Sequence, residues 1–140
     1  MPTIVALVKH VPDTWSTKSL EDDHTLDRTS VDNVIDEVNE YSVEQALRLR
    51  DENPDAGYKV VALTMGPAQA DEALRKALAM GADDAVLVSD DSLAGADALS
   101  TAWTLNAALN KLDDVQLITA GTEASDASTG LLTGLLAEYR

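Results

Sequence analysis

The densest chemistry in the chain lies between Gly121 and Gly130, in the run GTEASDASTG. Gly121, Thr122, Ser125, Ser128, Thr129 and Gly130 offer hydroxyls and backbone N–H groups just ahead of an apolar helical segment. Oriented N–H donors at the start of a helix suit a phosphate. The same residue types suit a plain capped helix start, and on residue chemistry alone both readings stand. Elsewhere the chemical inventory is thin. His10 and His24 have no evident nucleophile partner, so a hydrolytic triad is not expected. Asp22, Asp23 and His24 could hold a metal, but they read better as an exposed polar loop. With no cysteine in the chain, disulfides, thiolate metal sites and cysteine nucleophiles are excluded. The glycine-rich dinucleotide fingerprint after the first strand, the phosphate-binding Gly-Lys-Ser/Thr loop and the Gly-x-Ser-x-Gly elbow are all absent. The residues supply a nucleotide-sized site without catalytic machinery, so a binding role is expected rather than an enzyme.

The elements that must position this run are organised around Val60–Val88. Val60–Thr64 is a β-branched apolar run suited to a buried parallel strand. Gly66-Pro67 turns the chain into a helix on which Ala70, Ala73, Leu74, Ala77 and Leu78 share a face. Asp71–Arg75 and Glu72–Lys76 are placed to pair at four-residue spacing on the other face. Gly81 suits the C-terminal cap, and Ala85–Val88 begins the next strand. The remaining chain adds similar units. Thr3–Val8 is a first, central strand. Val11–Asn33 is a polar excursion with no helical period, a length that is usually functional. Asp36–Glu52 is a helix with Val38, Ser42, Ala46 and Leu49 on one face and Val43 at its edge, stopped by Asn53-Pro54. Tyr41 and Leu47 lie off that stripe, which allows ordinary exposed residues or a face for another chain. Asp97–Leu112 is a third helix, Val115–Ala120 a fourth strand and Leu131–Tyr139 a last helix. The alternation predicts an α/β fold, an open doubly wound parallel sheet in a three-layer sandwich, as one domain over residues 1–140. In such a sheet ligands bind beyond the carboxyl ends of the strands. Those ends are Lys9–Val11, Met65–Pro67, Ser89–Asp91 and Gly121–Thr129, with Asp36–Asn39 nearby.

Composition narrows the partners. The 140 residues include 25 acidic and 10 basic side chains, a formal net charge of −15. Phosphate backbones and anionic membranes both need basic surface, so neither nucleic acid nor a membrane surface is expected as a partner. No apolar run approaches the ~20 residues of a membrane span. MPTIVALVKH enters a strand without a basic leader, so a cytoplasmic protein is expected. With no Phe and only 4% aromatic residues, the core must be aliphatic.

Five stretches carry a resemblance: VKHVPDTW (Val8–Trp15), LDR (Leu26–Arg28), DEVNEYSVEQALRLR (Asp36–Arg50), MGPAQADEALRKALAMGAD (Met65–Asp83) and AGTEASDASTG (Ala120–Gly130). Together they resemble the beta subunit of electron transfer flavoprotein along almost the whole chain, in an actinobacterial-like form. The Gly66–Asp83 block is the most specific part. The resemblance implies an adenine nucleotide alpha hydrolase-like fold and a heterodimer with an alpha subunit that holds the redox FAD. It implies electron transfer from acyl-CoA dehydrogenases and related flavin dehydrogenases towards the quinone pool, with a structural AMP in this chain. In electron-bifurcating relatives a second FAD takes the AMP place. It also implies a chain that continues past Arg140, so that residues 1–140 are the amino-terminal part of the family's length.

Carried over by the resemblance, the AMP site takes Leu7 and Lys9 at the first strand end, Asp36, Glu37, Val38 and Asn39 at the first helix start, Met65 and Gly66 at the second strand end, and Gly121, Asp126, Ala127, Ser128, Thr129 and Gly130 after the fourth. Asp36-Glu37 stands where the family has Asn-Pro, and Ala127-Ser128 where it has Gly-Asp. An acidic pair suits ribose hydroxyls or the adenine amino group and is poor near phosphate, which leaves Thr129 and Gly130 as the phosphate candidates. A universal-stress-protein-like nucleotide-binding domain shares the architecture, but Gly121, Gly130 and Gly134 do not fit its glycine spacing. The Ser-Gly-Gly pattern of ATP pyrophosphatases has no counterpart at Lys9–Asp13.

Overall fold

A computed structural model describes residues 1–140. Four parallel strands form the central sheet: β1 (Thr3–Leu7), β4 (Lys59–Met65), β5 (Asp84–Val88) and β6 (Val115–Thr119), in the order β5-β4-β1-β6. β1 runs in register with β4 from Thr3 opposite Lys59 to Leu7 opposite Leu63. It pairs with β6 on its other side, after an irregularity between Thr3 and Ile4. The expected doubly wound α/β sandwich is therefore present, and the order reverses between β1 and β6.

Successive strand residues point to opposite faces, so each strand feeds two cores. Ile4, Ala6, Val60 and Ala62 face α1 (Glu37–Glu52) and α2 (Asp71–Met80), where Val43, Ala46, Leu47, Ala73, Leu74 and Ala77 are buried. Val5, Leu7 and Leu63 face α3 (Ala98–Leu109) and α4 (Leu132–Tyr139), against Ala102, Leu105, Leu109 and Leu136. Small alanines on α2 bring that helix close to the sheet. Gly81 ends it at φ 122°, a conformation that glycine tolerates without a Cβ clash. Pro67 opens a short 3-10 turn, Ala68–Ala70, rather than the α-helix itself. Asn53 ends α1, its side-chain amide donating to the Leu49 carbonyl at 2.8 Å, and Pro54 prevents continuation.

Three local expectations are corrected. Leu47 is buried, not a partner-facing residue; of the pair, Tyr41 alone stays exposed. The buried stripe is Asn39, Ser42, Val43, Ala46 and Leu47, turned from the expected line because Asn39 and Ser42 are drawn inward by bonds to β1. Leu78 is 42% exposed. Ala73, Leu74 and Ala77 centre a narrow stripe, and the ~100° step per residue carries Leu78 to its edge. Asp71 and Arg75 pair at 2.9 Å as expected, but Lys76 turns to Glu40 on α1 at 3.7 Å and not to Glu72.

The polar excursion closes on itself. β2 (His10–Pro12) pairs antiparallel with β3 (Asn33–Ile35), and a Leu20–Leu26 bridge ties the loop between them. Asp27 accepts the N–H groups of Thr29 and Ser30 and the Ser30 hydroxyl. These bonds hold the Asp27 carboxyl well below the usual carboxylate range, the Ser30 hydroxyl contributing most. Arg28 is thereby fixed beside the sheet: its carbonyl accepts from the Asn33 amide at 2.7 Å. No helix is long and apolar enough to cross a membrane.

Candidate functional site

The reversal of strand order between β1 and β6 leaves a crevice at their carboxyl ends. The start of α1 closes its floor through one backbone bond and three bonds between side chains and backbone. Asp36 N–H donates to the Lys9 carbonyl at 2.9 Å, and Lys9 N–H donates to Asn39 Oδ1 at 2.8 Å. Ser42 Oγ donates to the Leu7 carbonyl at 3.2 Å, and Thr119 Oγ1 donates to the Ser42 carbonyl at 2.9 Å. Polar residues on the inward face of a helix are costly unless bonded; here each one ties α1 to a strand end.

Asp36 is 2% exposed and occupies the N-cap of α1, yet its side chain makes no cap bond. Its carboxylate accepts the Ser125 N–H at 2.7 Å instead, so it caps the loop after β6. Val38 presses on the same loop. A Cβ on Gly121 would lie 2.7 Å from Val38 Cγ2, which explains glycine there. Gly66 is similarly constrained: a Cβ would lie 2.9 Å from Ala70 Cβ.

Above this floor is a cavity of about 390 Å³. Leu7, Leu63, Met65 and Leu105 give it apolar walls, and Lys9, Asn39, Thr101 and Thr129 give it polar ones. Asp97 and Glu123 are its acidic groups. Asp97 caps α3 by accepting the Ser100 N–H at 2.7 Å, a bond that holds its carboxyl below the ordinary value. Between Ser128 (φ 49°) and Gly130 (φ 63°) the backbone doubles back through left-handed conformations. The N–H groups of Thr129, Gly130 and Leu131 donate to no protein acceptor. Three adjacent unsatisfied donors beside a helix start form the kind of concavity that takes an anion.

A family model, the electron transfer flavoprotein domain, matches residues 23–139. The chain belongs to that family. It is 47% identical over 142 aligned residues to the electron transfer flavoprotein subunit beta of Mycobacterium leprae, covering 99% of this chain and 53% of the relative. The subunit of the same name from Mycobacterium tuberculosis is 46% identical, with the same coverage. The caffeyl-CoA reductase-Etf complex subunit CarD of Acetobacterium woodii is 40% identical over 96% of this chain and 51% of its own length. The chain thus spans about half the length of the curated relatives it matches. The resemblance read from the sequence, to the beta side of the electron transfer flavoprotein family, holds.

Of the site positions carried over from the family, eight line the cavity: Leu7, Lys9, Asn39, Met65, Gly121, Ala127, Thr129 and Gly130. The other six do not. Asp36 and Val38 support the loop from below, Gly66 forms the turn after β4, and Glu37 and Ser128 are exposed. Asp126 turns away from the cavity. Its side chain has no solvent exposure and bridges Lys9 Nζ at 2.7 Å and Arg28 Nη2 at 2.6 Å. Burial pushes the Asp126 carboxyl up, but the hydrogen bonds and charges of Lys9 and Arg28 outweigh it and hold the carboxyl below its ordinary value. The wall contributed by Asp97, Ala98 and Thr101 was not read from the sequence, because strand-end reasoning pointed to Ser89–Asp91 instead. Arg28 appeared only inside a resembling stretch; its partner lies 98 residues along the chain.

Proposed function

We propose that this chain is the amino-terminal part of an electron transfer flavoprotein beta subunit, and that its cavity holds AMP as a structural nucleotide. The observation that carries the reading is the set of free N–H groups at Thr129–Leu131 beside a cavity of about 390 Å³ at the sheet's switch point. In this reading the phosphate sits on those donors and on the Thr129 hydroxyl, Lys9 lies alongside, and Leu63, Met65 and Leu105 flank the purine. The volume suits one mononucleotide better than an FAD. Only one cation lines the cavity, against two carboxylates, so a monophosphate is favoured over a polyphosphate.

AMP supplies no redox chemistry. The chain's own residues bind and orient it, exclude water from the floor, and so tie β1, β4 and the loop after β6 into one body. The FAD that carries electrons belongs, in this proposal, to an alpha-subunit partner in a cytoplasmic heterodimer. The beta chain is then a carrier subunit, not an enzyme. Donors of the acyl-CoA dehydrogenase type and delivery towards the quinone pool are part of this proposal; a link to CoA-ester chemistry is supported by two relatives named for it, the caffeyl-CoA reductase complex subunit and the acryloyl-CoA reductase electron transfer subunit gamma of Anaerotignum propionicum. A universal-stress-like role is not favoured, since the family match covers residues 23–139.

The test is calorimetric titration of AMP into the full-length subunit with its partner, stripped of nucleotide. Thr129→Val removes one hydrogen bond to a charged group, about 1.5–3 kcal/mol, and is expected to weaken binding by at least about tenfold. Equal affinities would remove Thr129 from the site, and no binding by wild type would overturn the AMP reading.

A further inference from the structure

We propose that Lys9, Asp126 and Arg28 form a latch that shapes the anion-binding loop, and that Arg28 is a positioning residue for nucleotide binding although it does not reach the cavity. The inference rests on the AMP reading above for its ligand, and on geometry alone for its mechanism.

Residues Ala127–Leu131 are all exposed, so no apolar anchor holds the segment that carries the free N–H groups. Its conformation includes left-handed backbone at Ser128, which costs energy in a residue with a Cβ. Something must over-determine it. Locally there are two turn bonds to the Ala124 carbonyl, from Ser128 N–H at 2.8 Å and from Ala127 N–H at 3.4 Å, and both end before Thr129. From α1 there is the Asp36–Ser125 bond at 2.7 Å. The remaining tie is Asp126, each of whose oxygens meets a different cation on a different element. Lys9 follows β1, and Arg28 comes from the excursion between β2 and β3. The excursion therefore has a use: it delivers a guanidinium to the base of the loop. Arg28 is itself set by the Asn33 amide on its carbonyl and lies 3.5 Å from the His10 carbonyl.

A competing role for Asp126 predicts the opposite sign. If its carboxylate held the place of a phosphate, ligand would displace it, and neutralising it would release two cations and tighten binding. The enclosure of the carboxylate and the position of Arg28 outside the cavity argue against displacement, because a phosphate could reach Arg28 only by dismantling the loop.

The experiment uses the full-length subunit with its partner, stripped of nucleotide, and two readouts: calorimetric titration with AMP, and amide hydrogen exchange of residues 121–131 without ligand. Arg28→Gln, at a partly exposed side chain, is the primary variant, with Arg28→Lys, Asp126→Asn and the Arg28→Gln/Asp126→Asn double variant beside it. Loss of one charge-assisted bond to the latch is expected to weaken AMP about tenfold in Arg28→Gln. Loop exchange should speed up while β1 and β4 stay protected, and Arg28→Lys should recover part of both effects. In the Asp126→Asn background, Arg28→Gln should add nothing, since Arg28 acts through Asp126. The proposal is overturned if Arg28→Gln leaves both readouts unchanged, if Asp126→Asn binds AMP more tightly, or if Arg28→Gln weakens binding further once Asp126 is gone. Should wild type not bind AMP, the nucleotide reading fails separately and exchange alone decides: faster loop exchange supports the latch and unchanged exchange overturns it.

Discussion

The two faces of the sheet are built differently. On the α1–α2 face thirteen apolar residues form one fully buried cluster, with alanines at Ala46, Ala62, Ala73 and Ala77 bringing helices close to strands. On the α3–α4 face seven do, and many of their neighbours are only partly buried. Leu131, Leu99 and Trp103 remain largely exposed there, Trp103 packing edge-on to Tyr139 at 5.2 Å. The cavity belongs to the second face: its apolar walls, Leu7, Leu63 and Leu105, are members of the smaller cluster. A ligand site needs volume that side chains have not filled, and the close-packed face has none to give. The filled face contributes rigidity instead, through the polar first turns of α1.

The largest expected effect contrasts these cores. Ile4→Ala on the close-packed face should cost about 4–5 kcal/mol, near the top of the range for buried aliphatic truncation, because tightly packed neighbours cannot relax into the hole. Leu136→Ala on the looser face should cost about 2 kcal/mol, near the bottom of that range. Denaturant unfolding of both variants decides it, and equal losses would break the contrast.

A smaller effect is expected where the faces meet. Gly121→Ala places a methyl 2.7 Å from Val38 Cγ2 and 3.2 Å from Asn39 Nδ2. Overpacking of this kind costs about 1–3 kcal/mol. Adding Val38→Ala should restore most of the lost stability, measured as the midpoint of thermal unfolding. Failure to restore it would mean that the loop, not the helix contact, demands glycine.

The smallest effect is a slope with pH. The Asp126 carboxyl is held below its ordinary value in the folded chain. Its contribution to stability is therefore present above the usual carboxylate pKa of about 4 and is lost as pH falls through the lower folded value. Asp126→Asn should flatten this acid limb between about pH 5 and 2 and leave the rest of the profile in place. An unchanged limb in the variant would assign the acid sensitivity to other carboxylates.

Period and composition determined most of the architecture. Apolar β-branched runs at Val60–Thr64 and Thr3–Val8, alternating with helical stripes, admit little besides a parallel sheet with helices on both faces, since such strands must be covered twice. Glycine and proline marked the turns at Gly66-Pro67 and Gly81 because backbone conformation there is local. The loop Gly121–Gly130 was legible as an anion candidate for the same reason: hydroxyls and small residues before a helix are a local signal. Tertiary structure decided the rest. Local periodicity assigned Leu47 to the outside, whereas the bonds of Asn39 and Ser42 to β1 rotated α1 and buried it. Asp36 looked like a ligand group and became a tie for Ser125. Asp126 looked like one too and was enclosed by Lys9 and Arg28. Which way a charged side chain points depends on where its counter-charges lie, and Arg28 reaches Asp126 across 98 residues of chain. No window along the sequence contains that pairing; only folding creates it.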